Sequence, residues 1–359
     1  MTSPNDRRRA AVIGTGLIGG SLGLALRSRG WFVTGMDASA DTESMALELG
    51  VLDRIGEDPE AAITFVATPF GSTVEVARQA LGRARPGAVV TDVAGVKAAV
   101  AGAIEHPGFV GGHPMAGSEQ VGLDGSDADL FVGATWVLTP TASTDASAYA
   151  TVRQVVGSLG AEVVSLSPEQ HDTLVAVVSH VPHLTAATLM NLADRASDEH
   201  VALLRLAAGG FRDMTRIAAG HPGIWPDVCT ANSQAILSTL DELLTQLSAM
   251  REKVASGDRM WLLEVLENAA IARRSLPKAA VRPERLAEVR VPVPDRPGVL
   301  AEITTLAGSL GVNISDLEIA HSAEGERGVL VLVIGADTVG DLQEGLADRG
   351  YRSTARGLE

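Results

Sequence analysis

The sequence predicts three domains in series: an α/β domain with a largely parallel sheet, an all-helical domain, and a small ferredoxin-like βαββαβ module. Three observations predict this. Residues 9–166 alternate short apolar runs with stretches of helical period. Residues 167–276 keep only the helical period. After a proline-bearing stretch at 276–287, alternation resumes over 288–359. A chain of 359 residues suits this count, at roughly 100–200 residues per domain.

In the first domain, strands are expected over 10–13, 31–36, 63–67, 88–92, 109–111, 135–139 and 162–165. Helices over 17–29 and 72–81 lie between them. In the second, helices are expected over 174–194, 232–256 and 259–274. Apolar helices this long suit pairing across a dimer interface, so a homodimer is expected. Pro277, Pro283 and mixed charge mark 276–287 as a linker. Beyond it, strands at 288–293, 314–320 and 328–334 and helices at 298–310 and 339–348 precede a short strand near Tyr351.

Composition narrows the function classes. Apolar residues make up 46% of the chain but aromatics only 3%, so aliphatic side chains and alanine must build the cores. The net charge of −15 repels nucleic acid and anionic membranes, so neither is an expected partner. Cys229 is the only cysteine. It can form no intrachain disulfide and fits a reducing compartment. Arg7, Arg8 and Arg9 lead into a strand-like run rather than a signal-peptide core. No stretch of about 20 apolar residues stands out as a membrane span. A cytoplasmic location is expected.

The strand at 10–13 runs into Gly14-Thr15-Gly16-Leu17-Ile18-Gly19 and then a helix. Gly14 allows a tight turn, Gly16 lets the backbone approach a pyrophosphate, and Gly19 lets helix and strand pack closely. The N–H groups of the first helical turn, Leu17 and Ile18 among them, suit a phosphate. Asp37 ends the next strand, where its carboxylate can accept hydrogen bonds from a ribose. No Arg or Lys follows it closely, so a 2′-phosphate would meet an unpaired negative charge. NAD is therefore the expected cofactor, not NADP. Thr68 and Pro69 follow the strand at 63–67 and are expected beside it, because ligands of open α/β sheets bind outside the carboxyl ends of strands.

The loop Gly-Gly-His-Pro-Met-Ala-Gly-Ser-Glu at 111–119 holds His113 among glycines and a proline. An imidazole titrates near neutrality, so His113 can take a hydroxyl proton as hydride leaves the same carbon. By itself it could equally be a structural loop histidine. Further along stand Ser179-His180-Val181-Pro182-His183, then Gly-Gly-Phe-Arg-Asp-Met-Thr-Arg at 209–216, then His221-Pro222-Gly223-Ile224-Trp225. Such loops suit a small anion, and Arg216 can hold a carboxylate bidentately. Arg212 and Lys97 are the next cations for that role. His180 and His183 have helical spacing, but Pro182 lies between them and no cysteine or third ligand accompanies them. No metal site is expected.

Taken together, the 111–119 loop, His171-Asp172, the 179–183 segment, the 209–216 segment and Trp225 resemble the prephenate and arogenate dehydrogenases. The resemblance runs from about residue 10 to 275. It implies a Rossmann-type dinucleotide-binding domain with a helical dimerisation domain. It also implies oxidation of prephenate at ring carbon 4 with loss of carbon dioxide, giving 4-hydroxyphenylpyruvate and NADH. By the same resemblance His113 draws off the ring hydroxyl proton and Arg216 holds a substrate carboxylate. Ser118, Glu119, His180, His183, Lys97 and Trp225 are then expected in or around the pocket, with Ser118 assisting His113. One departure stands out. The family often has a serine before Val-Lys in the loop after 88–92, and here that position is Gly95.

The third module resembles ACT domains in Asp295-Arg296-Pro297-Gly298 and in Asn313-Ile314. The resemblance implies an amino-acid effector, expected to be L-tyrosine, bound at that turn between paired copies; a module that only dimerises is the alternative. Two other functions stay open: an arogenate or amino-deoxyprephenate dehydrogenase, and a catalytically inactive ligand-sensing homologue.

Overall fold

The structure, a computed structural model, describes residues 7–117, 120, 122–197, 206–276, 286–294, 296, 298–321 and 327–358. The chain forms two compact units, Met1–Leu276 and Pro277–Glu359.

The first unit opens with β1 (Arg9–Ile13), α1 (Leu17–Ser28), β2 (Phe32–Met36), α2 (Ala40–Glu48), β3 (Arg54–Ile55), β4 (Ile63–Val66) and α3 (Phe70–Arg83). It continues with β5 (Val89–Asp92), α4 (Ala98–Ala103), β6 (Phe109–Pro114), β7 (Thr135–Thr139), α5 (Ala146–Ser158) and β8 (Glu162–Ser165). These strands form one sheet in the order β3-β2-β1-β4-β5-β6-β7-β8. Every β5 residue is buried, as a parallel strand covered on both faces requires. Trp136 of β7 anchors the core, with Phe131 and Phe65 at ring-centroid distances of 5.1 and 6.4 Å. Burying one such side chain is worth about 1.5–3 kcal/mol.

The strand order reverses between β1 and β4, which opens a crevice at their carboxyl ends. β4, β5 and β6 run parallel to β1, so the residues ending these strands meet at one edge. Two features were not expected. β3 is two exposed residues, too short to show alternation. β7 runs antiparallel to β6, and apolar patterning carries no strand direction.

The helical part follows as α6 (Pro168–Val175), a π-turn (Ala176–His180), α7 (Val181–Ser197), α8 (Gly209–Thr215), short 3₁₀ turns at Arg216–Ala219 and Pro222–Ile224, α9 (Trp225–Ala231), α10 (Ser233–Ser256) and α11 (Arg259–Arg274). A capping box of Ser167 and Gln170, with Pro168 in the first turn, starts α6. The helix expected at 174–194 is thus part of a longer run, and its π-turn ends at His180, two residues before Pro182. By length and mean hydropathy, Pro168–Ala196 is able to cross a bilayer, which corrects the expectation that no stretch is. It carries buried His171, Asp172 and His180, each bonded within this unit. Groups of that kind are costly in hydrocarbon.

The second unit contains β9 (Leu286–Pro294), α12 (Val299–Ser309), β10 (Ile314–His321), β11 (Arg327–Gly335), α13 (Val339–Asp348) and β12 (Thr354–Leu358). Its sheet order is β10-β11-β9-β12, all antiparallel. This is the expected βαββαβ topology, with the last strand a few residues beyond Tyr351. Val289, Val291 and Val293 alternate inward on β9, as do Leu330, Leu332 and Ile334 on β11. They pack on Ile303 and Leu306 of α12 and Leu342 and Leu346 of α13.

Candidate active site

At the β1–α1 turn, Gly14 has φ +90°, and a Cβ there would meet Ala67 O at 2.5 Å. A Cβ on Gly19 would lie 1.8 Å from Gly14 O. Both positions therefore demand glycine. A Cβ on Gly16 would meet nothing within 4 Å, so the space beside it is open. No side chain caps α1, which leaves the N–H groups of Leu17 and Ile18 without intrahelical partners. Asp37 Oδ2 accepts from Thr15 N (2.7 Å) and Thr15 Oγ1 (3.2 Å), and Oδ1 accepts from Ser39 N (3.1 Å). Glu43 Oε1 accepts from Asp37 N at 3.0 Å, placing a second carboxylate at the same corner. Thr68 Oγ1 is buried with no hydrogen-bond partner among the described residues. Pro69 caps α3. An open cradle, an uncapped helix and a buried hydroxyl lacking a partner fit a dinucleotide.

His113 stands on β6 and is partly buried. Its Nδ1 lies 2.8 Å from His171 Nε2, and the two rings meet edge to face with centroids 5.0 Å apart. His171 Nδ1 lies 2.7 Å from Asp172 Oδ1. Gly95 is beside the other side of the ring: a Cβ there would sit 3.7 Å from His113 Nε2. Burial, then the neighbouring charges of His171, Lys97 and His180, hold His113 well below the ordinary histidine range. The imidazole is therefore neutral near pH 7 and free to accept a proton.

The helical part supplies a second cluster. His183 stacks on Trp225 with centroids 3.7 Å and planes 15° apart, and His180 meets the same indole edge-on at 6.2 Å. Asn232 Nδ2 bonds both Asp172 O (2.8 Å) and His180 Nδ1 (3.2 Å). Burial lowers both His180 and His183. Arg216 is exposed where α8 passes into its 3₁₀ turn, and that turn packs against α7. Arg212 is also exposed, with Nε donating to Ala207 O at 3.2 Å.

One expected substrate residue is placed elsewhere. Lys97 is 1% exposed. Its ammonium donates to the Asp92 carboxylate and, at 2.7 Å, to Gly112 O. Both bonds point it into the sheet, so Lys97 clamps β5 to β6 beneath His113 and holds no substrate carboxylate. Ser118 and Glu119 lie outside the described residues. The sequence reading did not single out Asp92 or Asn232. Nothing along the chain marks Asn232, but the adjacent pair His171-Asp172 could have suggested an oriented imidazole.

Two family descriptions fit consecutive parts of the chain: "Prephenate dehydrogenase, nucleotide-binding domain" over residues 22–165, and "Prephenate dehydrogenase, dimerization domain" over residues 167–268. The chain belongs to the prephenate dehydrogenase family. Prephenate dehydrogenase of Bacillus subtilis is 34% identical over 342 residues, covering 91% of this chain and 92% of that one. The crystal structure of the A. aeolicus prephenate dehydrogenase, in complex with hydroxyphenyl propionate and NAD+, is 29% identical with a TM-score of 0.71, covering 76% of this chain and 99% of that one. Synechocystis arogenate dehydrogenase is 32% identical with a TM-score of 0.66, covering 75% of this chain and all of that one.

Proposed function

We propose that this chain is an NAD-dependent dehydrogenase that converts prephenate to 4-hydroxyphenylpyruvate in tyrosine biosynthesis. The observation that carries the reading is the half-buried His113, bonded to His171 at the end of β6, on the same sheet edge as the glycine turn after β1, in a chain of this family.

Gly14, Gly16, Leu17, Ile18, Gly19, Asp37, Thr68 and Pro69 are the residues that would hold NAD. The bound cofactor supplies a hydride acceptor. His113 takes the proton of the ring hydroxyl as the C–H bond is lost and a carbonyl forms. The carboxylate on the opposite ring carbon then leaves as carbon dioxide. Its bonding electrons pass through the ring to that carbonyl oxygen, which takes the proton back from His113. The ring is aromatic, and no net proton is released. Arg216 holds a substrate carboxylate by charge-assisted hydrogen bonds. His180, His183 and Trp225 form a wall, and Ser118 and Glu119 complete the pocket.

The enzyme works as a homodimer. Leu174, Val177, Val178, Leu192, Leu237 and Leu244 of the helical part are exposed on the single chain, and apolar side chains of this size suit cover by a second copy. Its acidic surface and lone Cys229 suit the cytoplasm. The second unit acts as an ACT domain that binds L-tyrosine around 295–298 and at Asn313 and Ile314. There Gly298 starts α12 at φ +90°. Arg296 donates to Glu302 (2.7 Å) and to Tyr351 Oη (3.3 Å). Asp295 and Pro297 of that turn lie outside the described residues.

Arogenate is the second reading, favoured by the likeness to the Synechocystis enzyme. NADH appearance with prephenate, arogenate and 4-amino-4-deoxyprephenate decides. Prephenate should give the highest kcat/KM, and no NADH with any of the three would overturn the enzyme reading.

A further inference from the structure

The chemistry above needs one ring nitrogen of His113 bare and aimed at substrate. Neutral imidazole offers two tautomers, and a histidine has no intrinsic reason to choose the right one. The network behind His113 makes the choice.

It starts at Asp172. Oδ1 accepts from Lys97 N (2.8 Å) and lies 2.7 Å from His171 Nδ1, and Oδ2 accepts from Ala98 N (2.9 Å). An ionised carboxylate is an acceptor only, and both oxygens already accept from backbone N–H groups. His171 Nδ1 must therefore carry a hydrogen. In the neutral His171 ring Nε2 is then bare, and the atom 2.8 Å away, His113 Nδ1, must be the donor. That leaves His113 Nε2 without a hydrogen, on the side where Gly95 leaves room.

We infer that His171 is a positioning residue that, oriented by Asp172, locks His113 in the Nδ1–H tautomer with Nε2 as the base. His171 is fully buried and touches no substrate. It acts through His113, both by fixing the ring plane and by accepting from the imidazolium once Nε2 is protonated. Among the described residues, the charged and titratable groups around His113 are Asp92 of β5, Lys97 before α4, His171 and Asp172 of α6, and His180 of the π-turn. Lys97 and the two histidines oppose a proton on His113. Asp172, reached through His171, favours it.

This inference rests on the proposed reaction for its kinetic consequences, but not for the tautomer itself. Long-range ¹H–¹⁵N correlation spectra of the imidazoles of the full-length protein, assigned with His113→Asn and His171→Gln, read the tautomer without substrate. The expected result is His113 with Nδ1 protonated and Nε2 bare. His171→Leu removes the acceptor. It should lower kcat about 10²-fold while KM stays within about threefold, since the base acts in the transition state. The acid limb of its pH profile should shift. His171→Gln puts an amide oxygen near the position of Nε2 and should recover kcat to within about fivefold of wild type. A His113 that carries its proton on Nε2 overturns the inference. So does a His171→Leu enzyme with unchanged kcat and unmoved acid limb. If His171→Leu does not fold, the wild-type spectrum and His171→Gln decide. If the wild type oxidises none of the three substrates, the proposed reaction fails and the spectrum still tests the tautomer.

Discussion

The imidazole of His183 lies flat on the indole of Trp225, with ring centroids 3.7 Å and planes 15° apart. α7 supplies one ring and α9 the other, so the stack fixes how two separate helical segments face each other. It also shields His183, whose burial lowers its pKa. Trp225→Ala should let His183 titrate nearer the ordinary value of about 6.5. An aromatic pair is worth about 0.5–1.5 kcal/mol, so KM for the substrate should rise about 2- to 10-fold. An NMR titration of His183 and steady-state kinetics check both. A His183 titration that does not move shows that the stack is not what shields it.

Stability should fall on the acid side. Burial lowers His113, His180 and His183. Below about pH 6.5 the unfolded chain binds protons that the native histidines refuse, so this contribution is complete above that pH and lost as pH falls. The slope is up to about 1.4 kcal/mol per pH unit for each histidine, and less for the more exposed His183. Tm measured from about pH 8 to about pH 5.5 should drop, and His113→Asn should flatten the drop. A Tm independent of pH over that range would contradict the burial of these rings.

Asp37 should set cofactor choice. Its carboxylate already holds the N–H groups of Thr15 and Ser39, and Glu43 adds a second negative charge at the corner. A 2′-phosphate brought there would be repelled. NAD should far exceed NADP in kcat/KM, and Asp37→Ser should narrow the gap. Loss of a charge-assisted bond costs roughly 1.5–3 kcal/mol, so NAD should lose about 10- to 150-fold. Equal use of both cofactors by the wild type would sink this reading.

His113→Asn should lower kcat about 10²–10⁴-fold, the usual scale for a general base, with a smaller change in KM. Gly95→Ser tests the open side of the ring. An added Cβ would sit in ordinary contact, 3.7 Å from His113 Nε2, so the substitution should fold. Its hydroxyl comes within reach of both His113 and a bound substrate. One added hydrogen bond is worth about 1 kcal/mol, so kcat/KM should rise about fivefold. A fall in kcat/KM would mean that the hydroxyl blocks the base.

How much of this was legible in the sequence depends on the range of each constraint. The glycine turn was readable because Gly14 and Gly19 each answer a local demand of a strand–turn–helix, while Gly16 leaves the space beside it open. His113 stood out among its glycines and proline, but β6 runs on through Pro114, so the imidazole sits on a strand and not in the expected loop. Lys97 was misread because its burial comes from Gly112, fifteen residues away, as well as from nearby Asp92. Asn232 was invisible, since its bond to Asp172 spans sixty residues and nothing local requires an asparagine there. The helix from Pro168 passed unnoticed as a long apolar run because His171, Asp172 and His180 punctuate it. The βαββαβ order of the second unit was legible from alternation alone, and only its last strand was displaced.

The second unit should carry the regulation. It lies beyond both matched family regions, which end at residue 268, and the Synechocystis enzyme aligns over its whole length with only 75% of this chain. The first unit is compact by itself. A chain ending near Arg274 should therefore fold and keep its dehydrogenase activity. For tyrosine to inhibit through the second unit, it must bind the less active arrangement more tightly, and a coupling of about 1–3 kcal/mol suffices. That corresponds to roughly a 5- to 150-fold change in apparent affinity. Tyrosine also resembles the product, so it can compete at the active site. The truncated enzyme separates these routes. If regulation runs through the second unit, truncation removes most of the tyrosine inhibition and leaves kcat near wild type. Arg296→Ala in the full chain should then weaken inhibition without lowering kcat, because Arg296 lies in the turn proposed to meet the effector. Inhibition that survives truncation unchanged, and is competitive with prephenate, places tyrosine at the active site and leaves the second unit a dimerising role.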